Sequence, residues 1–228
     1  MTSLHRYLLL LPLLILTANI NAQVEQFPIR TFNKAYGLQY DFKKVVQDST
    51  DFIWIMYRNA IQRFDGKTMR TFISGKNCNS LTVDEGGVVW ASIEKDIYKF
   101  NAATLKFEKI TSIDTNEKFL FQNGGNIFYI TATGIFSYDS DADRFFENNS
   151  SLYSLPQELK LSRDYFSNFE KTLFYKVGDS ICRHDLRNGI KDYETFNELR
   201  NVHALSRTEV IVSNWESKAW YYNFSNGI

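Results

Sequence analysis

Apolar and polar residues alternate with a period of two in short runs separated by turn-forming residues, and the same set of runs recurs along the chain. The clearest unit is Phe52-Ile53-Trp54-Ile55-Met56-Tyr57, then Ala60-Ile61-Gln62-Arg63-Phe64 with Asp65-Gly66-Lys67, then Met69-Arg70-Thr71-Phe72. Moving on 36 residues, Val88 to Ile93, Asp96 to Asn101 and Leu105 to Ile110 repeat it, with Trp90 on Trp54 and Phe100 on Phe64. A third copy, 38 residues later, carries Phe128 and Tyr138 in those places. A fourth follows after 46 residues (Thr172 to Val177, Ser180 to Asp185, Ile190 to Tyr193), its extra length in Asn148 to Arg163. A fifth runs through Glu209 to Ser213 and Ala219 to Asn223 and stops at Ile228, inside a repeat.

Each unit predicts three strands, and the runs Lys43 to Gln47 and Ser80 to Val83 supply a fourth before the first two units. Four antiparallel strands in about 40 residues is the period of a propeller blade. Period-two spacing excludes a helical solenoid, and a β-sandwich would not place the same turn chemistry at the same point of every unit. The expected fold is all-β: a β-propeller of about five four-stranded blades, the last incomplete, forming part of a larger propeller. The blades are expected near residues 36–72, 73–110, 111–147, 148–196 and 197–228.

Composition agrees with strands. Of 228 residues 44% are hydrophobic and 16% aromatic, enough for a sizeable core of flat rings on pleated surfaces. Lys plus Arg and Asp plus Glu both number 26, so there is no basic surplus for a phosphate backbone, and nucleic acid is not an expected partner. Residues 1–22 differ: His5 and Arg6, an apolar run from Leu8 to Thr17 broken by Pro12, and Asn21-Ala22 before Gln23. That is the form of a cleaved secretory signal, too short for the roughly 20 residues that span a bilayer, with an uncleaved anchor as the weaker alternative. The chain is therefore expected to be exported, to the periplasm or outside the cell. Cys78 and Cys182 read as two small buried apolar residues or as a single bridge.

The turns have a common chemistry. Asp48 stands in the corner before Trp54, Asp84 with Gly86 in the corner before Trp90, and Gln122 to Gly125 before Phe128. Asx side chains bond the following amides and Gly accepts positive φ, so these residues are read as scaffold; recurrence in every unit argues against catalytic acids or metal ligands.

These residues also carry a resemblance. Tyr36-Gly37-Leu38, Val45-Val46-Gln47-Asp48-Ser49, Asp51-Phe52-Ile53-Trp54-Ile55 and Ala60-Ile61-Gln62-Arg63-Phe64-Asp65-Gly66 are similar to the two-component regulator propeller repeat, and Val83 to Trp90 matches in the second unit. Asp51 replaces the usual turn Gly, and the later copies lose the Trp and the Gln-Asp pair. The resemblance implies the periplasmic sensor region of a sensor or hybrid histidine kinase, with the kinase absent from this chain. It further implies an oligosaccharide or other extracytoplasmic small ligand, a homodimer in the full-length protein, and a membrane link only through a downstream segment.

Other candidates are weaker. Asp139, Asp141 and Asp143 resemble the start of a calcium loop, but Arg144 and Ser150 stand where its Gly and Glu belong. His184 and His203 lack ligand partners at zinc spacing, and His184 takes the place of Phe64, Phe100 and Tyr138. No catalytic residue, metal or cofactor is expected. Trp215, in a loop, and Tyr222 are the candidate ligand contacts, from an aromatic cluster with Trp220 and Tyr221. Two other classes stay open: a secreted propeller enzyme acting on polysaccharide, a glycosidase or lyase, which needs facing carboxylates or a metal at the channel mouth; and a secreted protein-interaction scaffold.

Overall fold

The computed structural model describes residues 37–38, 41–115, 119–156, 159, 166–196, 198–214 and 218–227. The expected signal segment, 1–22, lies outside them. Within the described residues the chain forms five antiparallel sheets in sequence order, and they are the blades of a propeller. Blade 1 is β1 (Lys44–Gln47), β2 (Ile53–Met56), β3 (Ala60–Phe64) and β4 (Met69–Ser74). Blade 2 is β5 (Cys78–Val83), β6 (Val89–Ile93), β7 (Asp96–Asn101) and β8 (Lys106–Ser112). Blade 3 is β9 (Phe119–Asn123), β10 (Asn126–Thr131), β11 (Gly134–Asp139) and β12 (Arg144–Glu147). Blade 4 is β13 (Phe166–Phe169), β14 (Thr172–Val177), β15 (Ser180–Asp185) and β16 (Ile190–Thr195). Blade 5 has three strands, β17 (Leu199–Ala204), β18 (Glu209–Asn214) and β19 (Ala219–Asn223).

An Asx residue closes the hairpin between the third strand of every blade and the chain that follows it. Asp65 accepts from the Lys67 and Thr68 amides, Asn101 from Ala103 and Thr104, Asp139 from Asp141 and Ala142, Asp185 from Arg187, and Asn223 from Ser225. A side-chain oxygen two residues upstream satisfies turn amides that would otherwise need water. At Asp65 these bonds hold the exposed carboxyl down at about 2. The stretch Asp139 to Asp143 is thus a hairpin turn, with Asp143 accepting from the Tyr138 hydroxyl.

Between first and second strands the blades differ. Blades 1 and 2 use five-residue loops, 48–52 and 84–88, whereas β9–β10 and β13–β14 turn through two residues each, Gly124-Gly125 and Glu170-Lys171. In the long loops an aspartate is the organiser. Asp48 Oδ1 accepts from the Thr50 and Phe52 amides and its Oδ2 from the Trp54 indole N–H at 2.7 Å. Asp84 repeats this with the Val88 amide and Trp90 Nε1 at 2.9 Å. Burial opposes ionisation of Asp48, but the bonds from Trp54, Thr50 and Phe52 prevail and lower its pKa. Gly87 needs its φ of +78° here, and a Cβ on it would sit 2.6 Å from the Ser49 backbone nitrogen.

The core lies in the seams between blades. Trp54 inserts from blade 1 against Phe100 and Phe107 of blade 2, with the Phe100 ring 4.6 Å away. Trp90 meets Tyr138 and Phe145 of blade 3 in the same way. Phe128 packs with Leu173, Tyr175 and Cys182 of blade 4, and Phe174 with Leu199, Val202 and Val210 of blade 5. In blades 1 and 2 the cation opposite the plug covers it: Arg63, paired with Trp54, lies over the Phe52, Trp54 and Phe72 rings, and Lys99, paired with Trp90, lies 5.2 Å from that indole. Cys78 and Cys182 fall in different clusters and Cys182 is a free buried thiol, so the single-bridge alternative is set aside.

His184 is completely buried. Its Nε2 lies 2.8 Å from the Leu152 carbonyl, which can accept only, so Nε2 carries the hydrogen and Nδ1 accepts from the Tyr175 hydroxyl at 3.0 Å. The imidazole therefore ties the long insertion before blade 4 to that blade's sheet. Burial, aided by Lys191, pushes its pKa down to about 4 and keeps it neutral.

Candidate functional site

The first strand of each blade faces the centre, and together they wall a cavity of about 290 Å³ lined by residues of all five blades. Neighbouring inner strands are tied by hydroxyls. Ser80 Oγ on β5 accepts from the Leu120 amide of β9 at 2.9 Å, and Ser167 Oγ on β13 accepts from the Ala204 amide of β17 at 3.0 Å. Each acceptor keeps its own O–H hydrogen available to donate. Phe119 and Phe166 stack between blades 3 and 4 with centroids 5.6 Å apart and form an apolar part of the wall.

The remaining lining polar groups divide in two. Asn79 is committed to the Glu94 carbonyl and Asn77, Asn201 to Ser213, and Lys43 to Asp41 at 2.7 Å. The side chains of Lys44, Asn168 and His203 have no hydrogen-bond or ion-pair partner among the described residues. Lys44 and His203 are exposed to the water of the cavity and Asn168 is half-buried; nearby protein atoms lower the Lys44 pKa by partial desolvation. The described lining residues include no Asp, Glu or Cys, so they supply neither a carboxylate pair for general acid and base work nor a thiolate.

The residues singled out from sequence fall elsewhere. Asp48, Trp54, Phe64, Asp65, Gly66, Asp84, Gly86, Trp90, Phe100, Phe128 and Tyr138 sit in turns and seams. Trp215 lies outside the described residues. Tyr222 packs edge-on against Phe196 and Phe224 and donates to Glu194 of blade 4 at 2.8 Å, while Trp220 and Tyr221 beside it are exposed on β19. Sequence reading missed Lys44 and Asn168 and passed over His203 as an isolated histidine. The signal that would have found them is the inner strand of each unit, which carries polar residues where the second strands carry few.

No protein-family model matches the chain, and no curated protein matches it in sequence. Solved structures do match in fold. The extracellular domain of a protein described as a hybrid two-component system, from B. thetaiotaomicron, superposes with a TM-score of 0.63 at 17% identity, over 87% of this chain and 31% of that one. The extracellular domain of a protein described as a one-component system from the same organism gives 0.62 at 13% identity, over 87% and 31%. A virginiamycin B lyase from Staphylococcus aureus gives 0.50 at 10% identity, over 81% and 70%. The chain spans about a third of the length of the first two, and none of its described helices is long and apolar enough to cross a membrane. It shares with the extracellular domains of two-component and one-component systems the fold of a β-propeller.

Proposed function

We propose that this chain is the extracytoplasmic sensing propeller of a two-component signalling protein, and that its central cavity is where the ligand is held. The observation that carries this is the convergence of all five inner strands on one cavity whose Lys44, Asn168 and His203 side chains have no hydrogen-bond or ion-pair partner among the described residues. A ligand there touches every blade at once, which is the geometry needed to bias the ring as a unit. The fold likeness to extracellular domains of signalling systems supports the reading, as does the family pattern around Asp48 and Trp54. Export to the periplasm, a membrane tether, a homodimer and a kinase output belong to the same proposal for the whole protein. The lyase likeness keeps an enzyme in view; the described lining supplies no carboxylate pair, and only His203 and the lysines there could move a proton.

The test is a thermal-unfolding screen of the chain against mono- and oligosaccharides, with product analysis of the same mixtures. A sensor gains a few degrees of Tm with a ligand in excess, unchanged sugar is recovered, and His203→Ala loses the shift. Cleaved sugar in the mixture would move the reading to the enzyme.

A further inference from the structure

We propose that the central cavity is a site for a small oxyanion, a carboxylate, sulfate or phosphate, held by Lys44 with Asn168 and His203. This rests on the cavity being the ligand site and names the chemistry that fits it. The chain as a whole is charge-balanced, 26 basic against 26 acidic residues, yet the described lining holds two lysines and a histidine and no carboxylate. Lys43 is matched by Asp41, while Lys44 has no ion-pair partner among the described residues.

Lys44 and His203 are open to the water of the cavity, and no carboxylate of the described lining competes for them, so an entering anion breaks no ion pair there. Its oxygens have donors ready: the Asn168 amide, the His203 ring, and the Ser80 and Ser167 hydroxyls, whose oxygens already accept from the neighbouring strands. About 290 Å³ is room for an inorganic anion or a sugar-sized acid.

Calorimetric titration of the chain with glucuronate, glucose, inorganic phosphate and inorganic sulfate tests this. The expected result is saturable binding of at least one anion, glucose at least tenfold weaker, affinity falling as salt rises, and a loss of tenfold or more in Lys44→Gln. The free Lys44→Gln protein should melt no lower than the parent, because an uncompensated charge has been removed; a separate Lys44→Arg variant should retain most of the binding. Glucuronate alone among the anions assigns a sugar acid; phosphate or sulfate binding as well as glucuronate assigns a free inorganic anion. Glucose binding as tightly as glucuronate, or Lys44→Gln leaving anion affinity unchanged, overturns the oxyanion site while leaving a neutral-sugar sensor standing. Failure of all four ligands to bind at millimolar concentration overturns it as well, and a hit in the saccharide screen that is lost in His203→Ala would then keep the sensing cavity.

Discussion

In blades 1 and 2 an indole plugs the seam to the next blade and its N–H is held by an aspartate in a five-residue loop; in blades 3 and 4 a phenylalanine plugs the same seam above a two-residue turn and has no polar anchor. The difference separates two requirements that the repeat merges. Filling the seam needs a flat ring on the second strand, and any ring that fits will do. Anchoring the indole needs an acceptor, and only the longer loop provides a place from which Asp48 or Asp84 can reach both the turn amides and the ring nitrogen. Loop length and plug identity therefore change together.

The largest way to break the comparison is to empty a seam. Trp90→Ala should cost about 4 kcal/mol in urea unfolding, by the usual range for large-to-small core changes, and Phe174→Ala should cost nearly as much. If the plugs carry the seams, loop type will not separate the two values; a Trp90→Ala cost below about 1 kcal/mol would show that the seam does not depend on its plug.

Blade 4 offers the next effect, because His184 takes the place where the first three blades have aromatics. Its folded pKa, about 4, lies below the unfolded value, so the neutral form is favoured by folding. The stability it contributes is full above about pH 6.5 and is lost as pH falls toward 4, a loss on the order of 3 kcal/mol. Unfolding at pH 7 and pH 4.5 should show this loss in the parent and much less of it in His184→Phe; equal slopes in both proteins would remove the histidine from the account.

The anchor itself is worth less than the plug. Asp84→Ala leaves the buried Trp90 N–H and the Val88 amide without their acceptor, at about 2 kcal/mol, whereas Gln122→Ala, before the tight turn of blade 3, should stay within about 0.5 kcal/mol. Trp90→Phe in the Asp84→Ala background should recover part of the loss, since no indole N–H is left to satisfy. Smallest is the cation over the ring: Arg63→Met should cost about 1 kcal/mol, and a double-mutant cycle with Trp54→Phe should show coupling below that.

The sequence disclosed the turns and plugs because both are local. Asp65, Asn101, Asp139 and Asp185 bond amides two or three residues away, so their spacing survives as a pattern even where other identity is lost. The cavity is different in kind. Lys44 and His203 are 159 residues apart and share a wall only because the ring brings β1 and β17 to the same centre. Inner strands such as β13 and β17 also lack a strong apolar alternation, one side being turned to water, and β17 carries a register shift between Leu199 and Asn201 that disturbs it further. The Asp48–Trp54 bond was hidden for another reason: six residues of spacing say nothing about a contact until the loop between them is known to fold back.

Because each plug reaches only into the following blade, the four seams form a linear series of couplings between adjacent units. Such a molecule behaves like a short one-dimensional lattice, in which a defect weakens the two units it joins and its influence decays along the series. Local opening is then expected to proceed one blade at a time, so that amide exchange would report a graded profile along the chain in place of a single global value.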